Sequence, residues 1–248
     1  MSVPISRAKC CEYMKRHLGF CPYYVTRLSS MFVRRALCYT VVQGLVVEEN
    51  PQAPSHLKYA MLYLQACRAE NDLLKAHFAY LAHEHGTPLT YLTSLDEGTF
   101  GESEFFSEAE ITAYKLAEAC STTPGNITTE LAAELTDIYK PAAVIDLVAS
   151  MSIGTLLQNI TSAFPPTGYE PEIDYFVRQT KADGFGLKEG SETADWPAWD
   201  EACRVVRGSR AKSLKLERQT SKGEDLSGKP STSFLRRSTR LDTSQVKK

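Results

Sequence analysis

The sequence predicts an all-α fold. Apolar residues recur at the three- and four-residue spacing of helices in nearly every segment up to Phe164. No stretch shows the sustained alternation of apolar and polar residues, bounded by turn residues, that is typical of β-strands. Ser, Thr, Pro and Gly occupy positions where helices would begin and end. We therefore expect a helical body over residues 1–167, followed by an extended C-terminal segment, 168–248, that is partly disordered unless a partner binds it.

The N-terminal part of the body predicts two or three helices. Ile5–Leu18 is amphipathic, and Gly19–Pro22 should interrupt it, because proline is tolerated only in the first turn of the next helix. Tyr23–Val47 is apolar enough for one or two further helices. Pro51 and Pro54 then end this region.

The longest helical pattern runs from Ser55 to Gly86 and organises the rest of the chain. Ser55 is a favoured residue for the N-cap of this segment. Gly86 occupies the place where a helix ends on a residue of left-handed conformation.

The later helices of the body are predicted from their caps and prolines. Ser107 with Glu110 forms a capping-box pattern. The last of these segments, PAAVIDLVASMSIGTLLQNITSAF, is apolar on nearly all sides, which predicts burial in the core or at a subunit interface. The predicted helices begin at Pro88, Ser107, Thr128 and Pro141 and end near Leu95, Cys120, Tyr139 and Phe164.

Charge is unevenly distributed along the chain. Residues 1–47 carry seven basic and one acidic residue, net +6, and residues 205–248 carry twelve basic and four acidic residues, net +8. The 157 residues between them carry a net charge of −16, so a total of −2 conceals an acidic body between two basic ends. This asymmetry indicates that the ends meet an anionic surface.

The cysteine content and the N-terminal sequence predict where in the cell the protein is located. The seven cysteines have no regular spacing, and the N-terminus does not resemble a secretory signal, which predicts free thiols inside the cell, in the cytoplasm or the mitochondrion. The basic, acid-poor N-terminus is typical of mitochondrial transit peptides, but an amphipathic first helix is the favoured interpretation. Ala36–Val47 is too short for a bilayer, so no transmembrane segment is expected.

The basic C-terminal segment is a candidate docking arm. It can bind an acidic protein surface, nucleic acid or anionic lipid, although it lacks the interleaved aromatic residues of a single-strand binding platform. A simply solvated tail is the alternative. The candidate partner-binding residues are Lys212, Lys215, Arg236, Arg237 and Arg240.

Several runs of the body resemble a known superfamily. The run LLKAHFAYLAHEHGTPLTYLTSL places His77 in a helix that ends at a glycine and is followed by a short helix. The runs FSEAEITAYKLAEAC and ITTELAAELTDIYKPAAVIDLVASMSIGTLLQNIT follow in the same order. Together, over residues 17–165, they resemble the alkyl hydroperoxidase D-like and carboxymuconolactone decarboxylase superfamily. The resemblance implies an all-α fold that usually forms oligomers.

The peroxidase branch of that superfamily implies a Cys-x-x-Cys pair before the histidine and a glutamate further upstream. In this chain those positions are occupied by Glu70, Leu73 and Lys58, so only His77 carries over. Peroxide reduction needs a thiolate and a resolving thiol, which neither glutamate nor leucine supplies. Cys67 lies one turn from the motif and reads as a buried helix residue.

Two functions follow from this pattern. The first is a non-catalytic interaction subunit, a homo- or hetero-oligomer or part of a larger assembly, in which the basic ends dock on a protein partner. The second is a carboxymuconolactone decarboxylase-like enzyme in which His77 is the general acid or base, oriented by Glu70 or Glu84. The sequence favours the first, because the thiol motif is missing.

Neither a metal nor a cofactor is expected. His83 and His85 flank Glu84, but residues two apart point to different sides of a helix. His77 and Glu84 share a face but supply only two ligands.

Overall fold

The computed structural model describes residues 6–28, 31–45, 50–122, 125–163 and 168–188. These residues form ten helices and no β-strand, which confirms the all-α prediction for the described part of the chain. The candidate docking residues of the C-terminal segment lie outside the described residues. In order, the helices are α1 (Arg7–Leu18), α2 (Tyr23–Arg27), α3 (Met31–Leu45), α4 (Ser55–Arg68), α5 (Asp72–Glu84), α6 (Leu89–Glu97), α7 (Glu108–Ala119), α8 (Thr129–Ile138), α9 (Pro141–Ala163) and α10 (Pro171–Ala182).

The N-terminal helices follow the predicted breaks. The Ser6 hydroxyl accepts a hydrogen bond from the Lys9 backbone N–H and caps α1, and Gly19 ends the helix in the left-handed region with φ 82°. Pro22 precedes α2, as its lack of a backbone donor favours. The segment predicted as one or two helices is therefore two, α2 and α3.

The central stretch is two helices rather than one continuous pattern. Glu70 adopts φ 51°, a left-handed conformation that a helix interior does not tolerate. Asn71 then caps α5 by accepting a hydrogen bond from the Leu74 N–H at 3.1 Å. Ser55 is the first residue of α4 and not its N-cap, a position that Pro54 holds. Gly86, with φ 98°, ends the stretch in the predicted conformation.

Local sequence signals place the later helices accurately. The Ser107 hydroxyl accepts from the Glu110 N–H, and the Glu110 carboxylate accepts from the Ser107 N–H at 2.8 Å, which completes the predicted capping box. Thr128 caps α8 through the Leu131 N–H. Pro141 begins α9 as expected.

Helix α4 lies at the centre of the body and packs against α3, α5, α6, α7 and α9. Residues Leu57 to Ala66 are all buried. Within this apolar helix the Gln65 amide donates to the carbonyl oxygens of Cys120 and Met151 and to the Thr155 hydroxyl, at 3.1 to 3.3 Å. These bonds fix α4 against α7 and α9 at the level of Gln65.

Helix α9 is the one helix in the described part of the chain that is long and apolar enough to cross a membrane. By itself this is weak support for a membrane span, since the core helix of a soluble protein passes the same test. In the structure α9 packs against α3, α4, α5, α7 and α8.

A close approach between α9 and α4 depends on Gly154. A Cβ at this position would overlap the Gln65 side-chain oxygen and lie 2.6 Å from Leu62 Cδ2. We expect Gly154→Ala to lower the free energy of unfolding by about 1–2 kcal/mol, because overpacking outweighs the gain of about 1 kcal/mol in helix propensity. Chemical denaturation followed by circular dichroism would measure the change.

Gly44→Ala is the matched control for this prediction. A Cβ at Gly44 would meet only the end of the Ile153 side chain, which can change rotamer. The control should therefore cost less than Gly154→Ala. Equal costs for both variants would contradict the role assigned to the approach of Gly154 to Gln65.

The helical body continues beyond residue 167. Helix α10 begins at Pro171 and packs against α5, with Ile173 and Val177 fully buried. The first part of the segment predicted as extended is therefore an additional helix with one buried face. This helix brings a carboxylate into the interior, as described next.

Candidate functional site

A histidine and a carboxylate form a buried pair inside the helical body. His77 Nε2 lies 2.7 Å from Glu170 Oε2, and each side chain is only 2% exposed. The other Glu170 oxygen, Oε1, accepts a hydrogen bond from the Tyr23 backbone N–H. Each carboxylate oxygen thus has its own partner, as a buried charge requires.

Three separate parts of the chain position this pair. Helix α5 carries His77 on its buried side, between the buried residues Ala76 and Phe78. Glu170 is the residue before α10, in extended conformation, and Pro171 fixes the first turn of that helix. Tyr23 is the first residue of α2, where a helix N-terminus offers unpaired N–H groups.

Aromatic rings surround the imidazole. Phe20 packs edge-on against His77 with ring centroids 4.8 Å apart, and the Tyr24 ring lies at 6.3 Å. Tyr80 contacts Phe20 and also Phe176 of α10. The His77–Glu170 pair is therefore a polar group surrounded by aromatic rings.

The negative charge of Glu170 acts on two neighbouring groups. Burial, and then the Glu170 carboxylate, raise the pKa of the Tyr24 hydroxyl. Burial chiefly raises the pKa of the Cys21 thiol, with smaller contributions from nearby thiols and from Glu170. Both groups therefore keep their protons at neutral pH.

The hydrogen bond fixes the chemistry available to His77. With a carboxylate as partner, we assign the Nε2–H of the neutral ring as the donor, which leaves Nδ1 as the basic nitrogen. A proton taken up at Nδ1 creates an imidazolium that the Glu170 carboxylate stabilises. The arrangement can therefore take a proton from a substrate and return it.

The sequence predicted the histidine of this pair but the wrong carboxylates. Glu70 lies in the break between α4 and α5 and is exposed, and Glu84 is exposed at the end of α5. The carboxylate on His77 comes instead from Glu170. The helical break at Glu70 is the physical reason that a seven-residue spacing does not place Glu70 beside His77.

Lys58, which occupies the glutamate position of the peroxidase motif, and Cys67, one turn from that motif, both contact other side chains of the body. Lys58 is almost fully buried and pairs with Asp146 of α9 at 3.4 Å. Cys67 interacts with Asp96 and Tyr63, and burial followed by the Asp96 charge raises its pKa to about 12. Such a thiol stays protonated and is a poor nucleophile.

The histidines at the end of α5 point to backbone groups. The His85 Nδ1–H donates to the Leu81 carbonyl oxygen at 2.8 Å, and His83 Nδ1 lies 3.4 Å from the Thr87 carbonyl oxygen. Among the described residues, no group of three or more His, Cys, Asp and Glu side chains has the geometry of a metal site.

No protein-family model matches the chain, and no curated protein matches it. Two solved structures do match. The apo crystal structure of the debrominase Bmp8 aligns with a TM-score of 0.59 and 23% identity over 71% of this chain and 95% of that one. The fold is similar to that of a debrominase. Because the identity is low, the likeness shows the fold alone, and the superfamily suggested by the sequence remains a prediction.

The second match is a variant of the same enzyme. In it a cysteine is replaced by alanine, and the crystal contains 2,3,4-tribromopyrrole. The TM-score is 0.60 and the identity 22%, over 74% of this chain and 96% of that one. Residues well beyond the helix that carries His77 therefore belong to the shared fold.

Sequence reasoning missed Glu170 and the residues Phe20, Cys21 and Tyr24. Glu170 is 93 positions from His77 along the chain, and no local pattern links the two. The available signal was the sequence Glu170-Pro171, which marks a helix start. A buried carboxylate could not be inferred from it, since glutamate is normally exposed.

Proposed function

We propose that the helical body is an enzyme that uses His77 as a general acid or base. The observation that carries the proposal is the buried 2.7 Å pair of His77 with Glu170. An imidazole can exchange protons with substrate, and the carboxylate fixes the ring and its tautomer. The similarity to debrominase structures adds support, because that fold is used by an enzyme.

The proposed reaction is of the lyase type. Loss of CO₂ from an unsaturated ring carboxylate breaks a carbon–carbon bond and leaves a carbanion. His77, which has first taken up a proton from solvent at Nδ1, donates that proton to the carbanion and returns to its neutral form. Phe20 and Tyr24 pack against the His77 ring, and Tyr80 packs on Phe20, so the groups around the imidazole are aromatic. Two small rings serve as probes: the lactone named in the decarboxylase branch, and the tribromopyrrole bound by the structural neighbour.

The test compares His77→Gln with His83→Gln, the same substitution at an exposed histidine of the same helix. The probes are 4-carboxymuconolactone, followed by CO₂ release, and 2,3,4-tribromopyrrole, followed by binding. His77→Gln should lower kcat by about 10² or more, the usual contribution of general acid–base catalysis, while His83→Gln leaves it unchanged. The enzyme proposal fails if neither probe is turned over and neither perturbs the His77 imidazole resonances of the wild-type protein.

A non-catalytic interaction subunit is our second proposal. It is favoured by large apolar side chains left exposed on two helices that pack together, Phe32 and Tyr39 on α3 and Ile145 on α9, at 69%, 46% and 70% exposure. In this proposal the His77–Glu170 pair holds α5, α2 and α10 together and meets no substrate. The same probe experiment separates the two proposals, because a purely structural pair leaves the His77 resonances unchanged by either compound.

A further inference from the structure

A stacked pair of aromatic rings lies at the surface between α6 and α7. Phe105, in the loop that joins these helices, is 62% exposed. Its ring stacks on Tyr91 of α6, with the ring centroids 5.6 Å apart and 17° between the ring planes. The buried Phe106 packs edge-on against Tyr91 at 5.0 Å and joins the pair to the core. Packing therefore positions the pair, and the face of Phe105 that is turned away from Tyr91 is open to water.

The chain around this aromatic pair carries only negative charge. Residues 87–114 contain six acidic residues and no Lys, Arg or His. The six are Asp96, Glu97, Glu102, Glu104, Glu108 and Glu110. Asp96 pairs with Lys75, and Glu110 completes the capping box of α7. The other four are exposed, and their carboxylates form no ion pair with another described residue.

Helix stability explains only one of these four carboxylates. Glu108 lies in the first turn of α7, where the helix dipole favours a negative charge. Glu97 is the last residue of α6, where the same dipole disfavours it. Glu102 and Glu104 lie in the loop, within three residues of Phe105 along the chain. Because like charges repel one another, a cation from outside this segment would stabilise it.

Another exposed phenylalanine of this protein already has a cation over its ring. Phe32 is 69% exposed, and the guanidinium carbon of Arg35 lies 5.8 Å from its ring centroid. Phe105 has no such cation within the part of the chain that the structure describes. A guanidinium is planar, stacks on aromatic faces and binds a carboxylate through two parallel hydrogen bonds, whereas an ammonium does neither as well. An aromatic face beside unpaired carboxylates therefore fits arginine better than lysine.

We propose that Phe105, Tyr91 and the neighbouring carboxylates form a docking surface for an arginine-containing basic segment of a partner protein. The guanidinium stacks on the open face of Phe105, and the loop carboxylates accept its hydrogen bonds and attract the flanking basic residues. The negative charge of the surface disfavours nucleic acid and anionic lipid, which are themselves negative. The surface belongs to α6, α7 and their loop, so it does not depend on a catalytic role for His77.

The test measures peptide binding to the full-length protein by fluorescence anisotropy. The probe is a fluorescein-labelled peptide that contains four arginines separated and flanked by glycine and serine. The matched probe has four lysines in their place and the same net charge. The wild-type protein should bind the arginine peptide saturably, and the lysine peptide about threefold or more weakly, because the ammonium lacks the planar stacking face.

Phe105→Ala should weaken binding of the arginine peptide by about threefold to fivefold, the usual contribution of an exposed cation–π contact. The matched control is Phe32→Ala, the same substitution at a similarly exposed phenylalanine that lies beside Arg35. This control should leave the affinity unchanged. Circular dichroism checks that both variants keep their helices, as expected for exposed side chains.

The double variant Glu102→Gln with Glu104→Gln tests the charge of the surface. It should weaken the binding of both peptides and make binding less sensitive to sodium chloride, because two of the attracting charges are gone. If salt dependence and affinity stay at the wild-type values, the peptide binds elsewhere and the proposal is rejected.

The wild-type measurements can overturn the proposal without any variant. Absence of saturable binding of the arginine peptide rejects the docking surface. Equal affinities for the two peptides would mean simple charge attraction and reject arginine recognition. Equal effects of Phe105→Ala and Phe32→Ala would place the contact elsewhere. If sedimentation shows that Phe105→Ala dissociates a homodimer, a second copy covers this surface and the proposed partner is wrong.

Discussion

Glu170→Ala should lower the free energy of unfolding by about 3 kcal/mol, because it removes the carboxylate that a buried imidazole and a half-buried backbone N–H share. The carboxylate accepts from the Tyr23 N–H and pairs with His77 at 2.7 Å, so one substitution removes both contacts. Urea denaturation monitored by circular dichroism measures the change. Wild-type and variant proteins should be compared at the same pH, since a histidine takes part.

Two variants at neighbouring sites control this measurement. Glu172 lies in the first turn of α10 and makes an exposed pair with Lys15 at 3.7 Å, so Glu172→Ala should lower the free energy of unfolding by less than about 1 kcal/mol. Glu170→Gln keeps an acceptor oxygen for the Tyr23 N–H, so its loss of unfolding free energy should lie between those of Glu170→Ala and Glu172→Ala. If Glu170→Ala and Glu172→Ala lowered the free energy of unfolding by the same small amount, the buried pair would not stabilise the fold.

Asp146→Ala should be at least as damaging, at about 3–5 kcal/mol, because it leaves the Lys58 ammonium buried without a counter-ion. Lys58 is 1% exposed, and its Nζ lies 3.4 Å from the Asp146 carboxylate. The lysine cannot turn out to water without leaving the core between α4 and α9. Denaturant titration of the single variant gives the cost.

Substitution of the lysine of this pair should lower the free energy of unfolding far less than Asp146→Ala does. Lys58→Met keeps most of the side-chain volume and removes the buried charge, while the Asp146 side chain, 20% exposed, still reaches water. We expect a change within about 1 kcal/mol of the wild type. The double variant Lys58→Met with Asp146→Ala should recover most of the loss seen in Asp146→Ala. Additive losses in the double variant would show that the two groups do not interact.

Much of the fold could be predicted because the signals for helix ends are local. Ser107 with Glu110, Thr128 and Gly19 each carry their capping chemistry within three or four residues, and the structure places helix ends at all of them. Amphipathic spacing then supplies the helices between the caps. These predictions need no knowledge of the tertiary structure.

The division of the central stretch was missed for a physical reason. Apolar and helix-favouring residues continue on both sides of Glu70, so the periodicity shows no gap. The break depends on the left-handed conformation of Glu70 and on Asn71 as the cap of α5. Glutamate rarely adopts the left-handed conformation, so its presence does not predict a break in the helix. Asn71 followed by the acidic Asp72 was the available helix-start signal.

The candidate site could be predicted only in part. His77 was found because it lies within a helical pattern that resembles a known superfamily. Its partner Glu170 and its ring neighbour Phe20 come from distant segments, and only tertiary packing brings them together. The basic C-terminal segment, the compartment and the oligomeric state remain predictions from the sequence.

The distance along the chain between His77 and Glu170 also sets when the pair can form during synthesis. The 93 residues that separate them take roughly 5 to 20 s to translate at the usual ~5–20 residues per second. Throughout that interval the emerging chain contains His77 and Tyr23 but not yet their shared carboxylate. The buried pair can therefore form only after the start of α10 has been synthesised.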